Sequence, residues 1–298
     1  MREKEHLENS NIDNHLKGIK FLIGSGLAFS LMSACVKAIG DKIPVSELVL
    51  ARAVISLIIT RILLLKNNIN PWGNQKRLLL IRGILGTIAL FCIFKALTIL
   101  PIATATVIQY IYPTFTVICA YFILNEYIFK RIILSIILGS LGIILVTSPE
   151  WSGGNNITET LTAIAIAILG ALMTSLAYIC VRKLSAKENP LVIIYYFPLV
   201  SIPLSLPFII NDFVLPNGTD WLLILCIGLF TQVGQLCITE GLRIIPAGQA
   251  TSINYSQVIF SSILGYFIFQ EAITKEMFLG GFCVLISTII IMSIKKVR

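Results

Sequence analysis

Histidine is almost absent. His6 and His15 are the only two, and both fall in the first sixteen residues. The rest of the chain therefore has no imidazole for proton transfer or metal ligation. Aspartate is confined to Asp13, Asp41, Asp212 and Asp220, in the N-terminal segment or between apolar runs. The seven cysteines, Cys35, Cys92, Cys119, Cys180, Cys226, Cys237 and Cys283, all lie inside apolar runs, and none has CxxC spacing. That excludes a zinc site and a disulfide framework. There is no GxxxxGK[ST] loop, so ATP does not drive the protein directly. Charge of either sign is scarce, at 13% of residues. A membrane enzyme needs a nucleophile with a base, paired aspartates or a metal cluster. None can be assembled, so no catalytic residue, metal or cofactor is expected. No cleavable signal peptide is expected either, because Met1 to Leu16 is polar and mixed in charge.

What fills the chain instead is apolar. Hydrophobic residues make up 56% of 298, and the mean hydropathy is +0.89. A water-soluble domain is nearer 45–50% apolar and about 25% charged. The excess must face lipid. The net charge of +8 does not point to nucleic acid, because the basic residues sit in short loops and form no single solvated face.

A bilayer core about 30 Å thick needs roughly 20 apolar helical residues to cross it. Ten such stretches stand near 18–39, 46–65, 78–98, 103–124, 131–147, 161–182, 191–210, 221–239, 248–269 and 277–294. Continuous apolarity without ten-residue alternation selects helices over a β-barrel. Placing both termini in the cytoplasm puts sixteen lysines and arginines in inner segments and two, Lys42 and Lys275, in outer loops. That asymmetry sets the expected orientation in the cell (inner) membrane.

The sequence also repeats itself. At an offset of 145, Phe94–Glu126 overlays Thr239–Glu271 with 13 of 33 positions identical. The matches include Pro101 with Pro246, Ala105 with Ala250, Thr106 with Thr251, Tyr110 with Tyr255, Tyr121 with Tyr266 and Glu126 with Glu271. The same offset pairs Cys35-Val36-Lys37 with Cys180-Val181-Arg182. Each repeat holds five spans, an odd number, so the second must enter the membrane from the opposite side. The fold class expected is all-α: ten transmembrane helices in two inverted five-helix repeats. The divisions are a polar cytoplasmic tail at 1–16, a first repeat at 17–148 and a second at 149–298. Inverted repeats recur in secondary transporters, with the site near the midplane between the halves.

Pro101 to Glu126, its echo ending at Glu271, the set Lys37, Glu47, Arg52, and Leu80-Ile81-Arg82-Gly83 together resemble the drug/metabolite transporter superfamily, EamA type. The resemblance covers the chain beyond the tail. It implies ten helices in two inverted five-helix repeats and a transport function, without naming a substrate. Within that breadth, an exporter of amino acids or other small polar metabolites is the first expectation. Uptake of a purine-containing or cationic metabolite such as S-adenosylmethionine is the second. A membrane-embedded enzyme or a channel would be of another class.

The site candidates follow from residue chemistry. Gln109-Tyr110 overlays Asn254-Tyr255, about two turns into spans 4 and 9. Amides donate and accept, and tyrosine adds an aromatic wall with a hydroxyl. Gln232, Gln235 and Tyr178 extend the set. Each of these is also suited to hydrogen-bonding between helices. Lys95 and Glu240 occupy equivalent repeat positions with opposite charge. They are candidates for gate or coupling charges, with a proton at Glu240 as the ion. Arg82 and Arg61 are read as snorkelling to the interface. Glu47 and Arg52, about 140° apart around one helix, are read as tying spans together.

Overall fold

The computed structural model describes residues 2–99, 108–127, 129–147, 157–209, 213–270 and 275–292. Its helices are α1 (Arg2–Ile39), α2 (Val45–Lys66), α3 (Lys76–Ile99), α4 (Tyr112–Leu124), α5 (Lys130–Thr147), α6 (Ile157–Leu184), α7 (Pro190–Ser205), α8 (Thr219–Ile244), α9 (Ala247–Ile253), α10 (Ser256–Phe269) and α11 (Lys275–Met292). There is no strand among the described residues. The protein is an all-α membrane protein of ten spans in two inverted repeats, with α9 and α10 sharing the ninth span. Helix α1 starts at Arg2, so the polar segment assigned to a tail is helical from Arg2 onward. Pro101, Ala105, Thr106 and Glu271, and the run from Ser148 to Gly154, lie outside the described residues.

Five helices are long and apolar enough to cross a membrane by themselves: Asp13–Ile39, Ser46–Lys66, Leu161–Leu184, Pro190–Phe208 and Thr219–Ile244. The polarity is turned inside out. Phe122, Phe267, Phe278, Leu222 and Ile289 point outward, while Ser25, Thr60, Gln232, Thr239, Thr251 and Ser252 are buried. Lipid makes no demand on apolar side chains, whereas polar ones must find partners within the bundle.

The repeat is visible in the packing. Helix α1 packs on α8, and its counterpart α6 packs on α3. Helix α1 meets α10, as α6 meets α4; α2 meets α8, as α7 meets α3. The counterparts α2 with α7, and α5 with α11, meet each other. Exchanging the halves reproduces the contact pattern, which places a pseudo-two-fold axis between them. Details repeat as well. Asn125 and Gln270 end the equivalent helices α4 and α10 in the left-handed region, at φ 53° and 54°. Tyr121–Phe122 and Tyr266–Phe267 form the same edge-on ring pair at 5.2 Å.

Two buried carboxylates cross-tie the halves. Glu188 accepts from the backbone N–H groups of Asn74 (2.7 Å) and Gln75 (2.5 Å), which fixes the start of α3. Glu47 accepts from Val214 N–H at 3.1 Å, which holds the segment between α7 and α8. Close approach depends on glycine at two of these contacts. A Cβ on Gly83 would stand 2.8 Å from Val200 Cγ2 and 3.0 Å from the Tyr196 carbonyl. One on Gly26 would stand 2.9 Å from Ser256 Oγ.

Candidate substrate site

Both spans that carry the repeated polar–tyrosine pairs are interrupted there. Helix α9 stops at Ile253, Asn254 and Tyr255 form a turn, and α10 begins at Ser256. The backbone bridges the gap by short-range bonds, from Tyr255 N–H to Ser252 and from Val258 N–H to Tyr255. In the fourth span, Ile108 and Gln109 are helical, Tyr110 and Ile111 form the turn, and α4 begins at Tyr112. Ile111 N–H donates to Ile108 in the same way. The break in the ninth span comes eight residues after Pro246, or about 12 Å along the axis. It therefore lies well inside a 30 Å core.

Side chains from the two breaks meet. The rings of Tyr110 and Tyr255 are 6.3 Å apart, as are those of Tyr110 and Tyr112. Tyr178 from α6 joins at 5.6 Å from Tyr112. Asn254 Nδ2 donates to the Tyr112 hydroxyl at 3.5 Å. Asn254 and Tyr255 are buried, whereas Gln109, Tyr110 and Tyr178 keep partial exposure in the middle of the bundle. Gly139 on α5 carries no side chain that would block this group: a Cβ there would stand 2.5 Å from the Tyr255 ring.

The two glutamines on α8 part ways. Gln232 is 3% exposed and both ends of its amide are taken by α2. Ser56 Oγ donates to its Oε1 at 2.5 Å, and its Nε2 donates to Thr60 Oγ1 at 2.9 Å. Gln235 is partly exposed and accepts at Oε1 from Arg82 Nη2 at 3.1 Å.

Arg82 departs from the sequence-based expectation. Snorkelling requires a path to the interface, but Arg82 is 4% exposed and turns inward across α7 to α8. Its guanidinium carbon lies 4.8 Å from the centroid of Phe197. Arg52 on α2 approaches the same ring at 5.8 Å and reaches Met32 Sδ at 3.9 Å. Neither arginine has a carboxylate within ion-pair distance among the described residues. Sequence reasoning missed Arg52, Arg82, Phe197 and Tyr112 as a group. Depth was the available signal: Arg82 stands nearly two turns into α3, where an ionisable side chain points to function by default.

The candidate gate charges lie apart from this centre. Lys95 is exposed near the end of α3. Glu240 pairs with Arg243 at 3.7 Å, one turn along α8. A different carboxylate spans the halves. Glu126 accepts from Arg182 Nε at 3.1 Å and from Ala247 N–H, the start of α9, at 2.9 Å. Arg182 Nη1 also donates to the carbonyls of Leu242 (2.8 Å) and Arg243 (2.9 Å). The ends of the fourth, sixth and eighth spans and the start of the ninth thus meet at one end of the bundle. The other end carries Lys42–Asp220 at 3.9 Å and Glu47 with Val214.

The model of the EamA-like transporter family matches residues 16–148 and again 161–293. The chain is 24% identical over 280 residues to the pseudopaline exporter CntI of Pseudomonas aeruginosa, covering 94% of this chain and 97% of that one. It is 25% identical to the S-adenosylmethionine uptake transporter of Rickettsia prowazekii, covering 97% and 96%. It is 27% identical to human solute carrier family 35 member G1, covering 91% and 78%. A solved crystal structure superposes with a TM-score of 0.78 over 95% of this chain and 96% of its own, at 17% identity. That likeness shows the fold alone.

Proposed function

The chain belongs to the EamA-like transporter family, and from that premise we propose that it exports small polar organic metabolites, amino acids among them, by alternating access. It is a multi-pass membrane protein that transports metabolites; its similar proteins are named as an exporter, an uptake transporter and a solute carrier, not as enzymes. Direction, mechanism and site are the proposal. The observation that carries it is the pair of interrupted spans, one from each half, whose tyrosines meet on the pseudo-two-fold axis. Broken helices at the midplane recur at the substrate sites of secondary transporters, and an inverted pair of halves can exchange conformations to open either side.

The proposed solute contacts are Gln109, Tyr110, Tyr178, Gln235, Asn254 and Tyr255. Gln232, bonded at both ends, has least to offer a solute. With the basic loops inside, both termini are cytoplasmic in the cell (inner) membrane, and the Glu126–Arg182–Ala247 cluster closes the cytoplasmic end. Lys95 and Glu240 stand as interfacial gate candidates. Proton coupling through Glu240 predicts that Glu240→Gln abolishes the pH dependence of transport; unchanged pH dependence rejects that role.

Counterflow in proteoliposomes tests the reading. Vesicles preloaded with pooled amino acids should accumulate labelled substrate saturably, and Tyr110→Ala should lose it while still melting cooperatively. A linear, non-saturable flux would indicate a channel. Uptake of a purine-containing metabolite is the second reading, favoured by the similarity to S-adenosylmethionine uptake transporters. A pool of adenosine-containing metabolites in the same vesicles separates the two.

A further inference from the structure

We infer that Arg52 and Arg82 form a seat for an oxyanion, so that the transported solute is an organic anion or a zwitterion bound through its acidic group. The inference rests on the carrier reading above and deepens it. Two guanidinium groups lie against one phenyl ring, 4.8 Å and 5.8 Å from its centroid. They come from different helices, α2 and α3, and no acidic side chain faces either among the described residues.

Arg82 is 4% exposed, and its Nε and Nη1 have no hydrogen-bond partner among the described residues. Burying an unpaired charge is strongly unfavourable, so structural cations in a bundle interior come with acidic partners. Phe197 and Gln235 soften the cost without neutralising the charge. Two buried guanidinium nitrogens with no partner among the described residues are a donor set that an anion's oxygens can satisfy. Arginine is suited to that task, since its planar fork matches carboxylate and phosphate oxygens. Tyr178 stands near both guanidiniums, and its ring centroid lies 5.6 Å from that of Tyr112. It therefore joins the charged seat to the tyrosine–amide wall, which would receive the uncharged body of the solute. A purely cationic solute is disfavoured at this place.

The test uses purified full-length protein and matched probes. L-Glutamate, L-malate and L-phenylalanine are compared with their amides; glycerol 3-phosphate serves as the phosphate probe and agmatine as the cation. Melting temperature is read first. The acids, the phosphate ester or both should raise it, and which of them does names the source of the oxyanion. The amides and agmatine should not. Arg82→Gln should abolish the shift while melting at or above the wild-type temperature, because it removes an uncompensated charge. Arg82→Lys should retain part of the shift. The acid or phosphate ester that gives the largest shift is then used for counterflow, where Arg82→Gln should raise its KM at least about 30-fold. If no oxyanion probe shifts the melting temperature, or if amides act as well as acids, the seat is overturned. If counterflow proceeds equally in Arg82→Gln, the seat is overturned while the carrier stands. A shift that Arg82→Gln abolishes, with no counterflow, would leave the seat and reject the carrier.

Discussion

Gln232 and Arg82 show how much a single side chain's neighbours decide. Both are polar groups in the membrane interior, and both are buried. Gln232 is satisfied at each end by α2, so its part is to bind two helices. Interhelical hydrogen bonds in membrane bundles average about 0.6 kcal/mol and reach about 1.7. Gln232→Leu is therefore expected to cost about 1–2 kcal/mol, seen as a lower melting temperature in detergent, with the transport KM unchanged. A raised KM at normal stability would return Gln232 to the solute contacts. At Gly83 the expected loss is steric. The alanine methyl would meet Val200 and the Tyr196 carbonyl, and overpacking of this kind costs about 1–3 kcal/mol. Thermal melting of Gly83→Ala beside Gly281→Ala, where a Cβ meets nothing within 4 Å, isolates the contact.

Among elements, the broken ninth span and its cap bear most directly on the proposed conformational exchange. Helix α9 is only seven residues long, too short to be stable alone. It is held by packing on α4 and by Glu126, which accepts from Ala247 N–H and from Arg182. That arrangement joins the halves at one end through charge-assisted bonds, which a conformational exchange would have to break. Glu126→Ala is expected to favour the conformation open at that end. The check is the labelling rate of Cys180, the one cysteine left after the other six are replaced by serine or alanine, with an impermeant maleimide in inside-out vesicles. Faster labelling in Glu126→Ala is the expected result; an unchanged rate would make the cluster a static clasp.

On the scale of the whole molecule, topology and contact pattern support each other. The Glu126 cluster gathers the ends of the fourth, sixth and eighth spans and the start of the ninth. Lys42–Asp220 and Glu47–Val214 join the turn after the first span to the turn after the seventh. Strict alternation across ten spans puts these two groups on opposite faces. Single cysteines introduced as Lys187→Cys and Asn217→Cys in a cysteine-free protein should then react with an impermeant reagent from opposite sides, Asn217→Cys from outside the cell. Labelling of both from one side would overturn the inverted arrangement.

The ten apolar runs, the offset of 145 residues and the Lys/Arg bias, read directly from the sequence, determine ten helices, two inverted halves and the expected orientation. They are legible because lipid imposes span length, loop charge decides sidedness, and a duplicated segment keeps its spacing. Tyr110 and Tyr255 were legible as counterparts for the same reason. The tertiary structure alone decides which polar groups are spent on each other. Gln232 and Gln235 lie three residues apart on one helix and look alike in the sequence, yet one is bonded at both ends to α2 and the other receives a guanidinium. Arg82 resembles an interfacial arginine until α7 and α8 are placed around it. Helical periodicity gives a side chain's direction on its own helix. What it meets is fixed by how the helices of one half lie on those of the other, and that information is non-local.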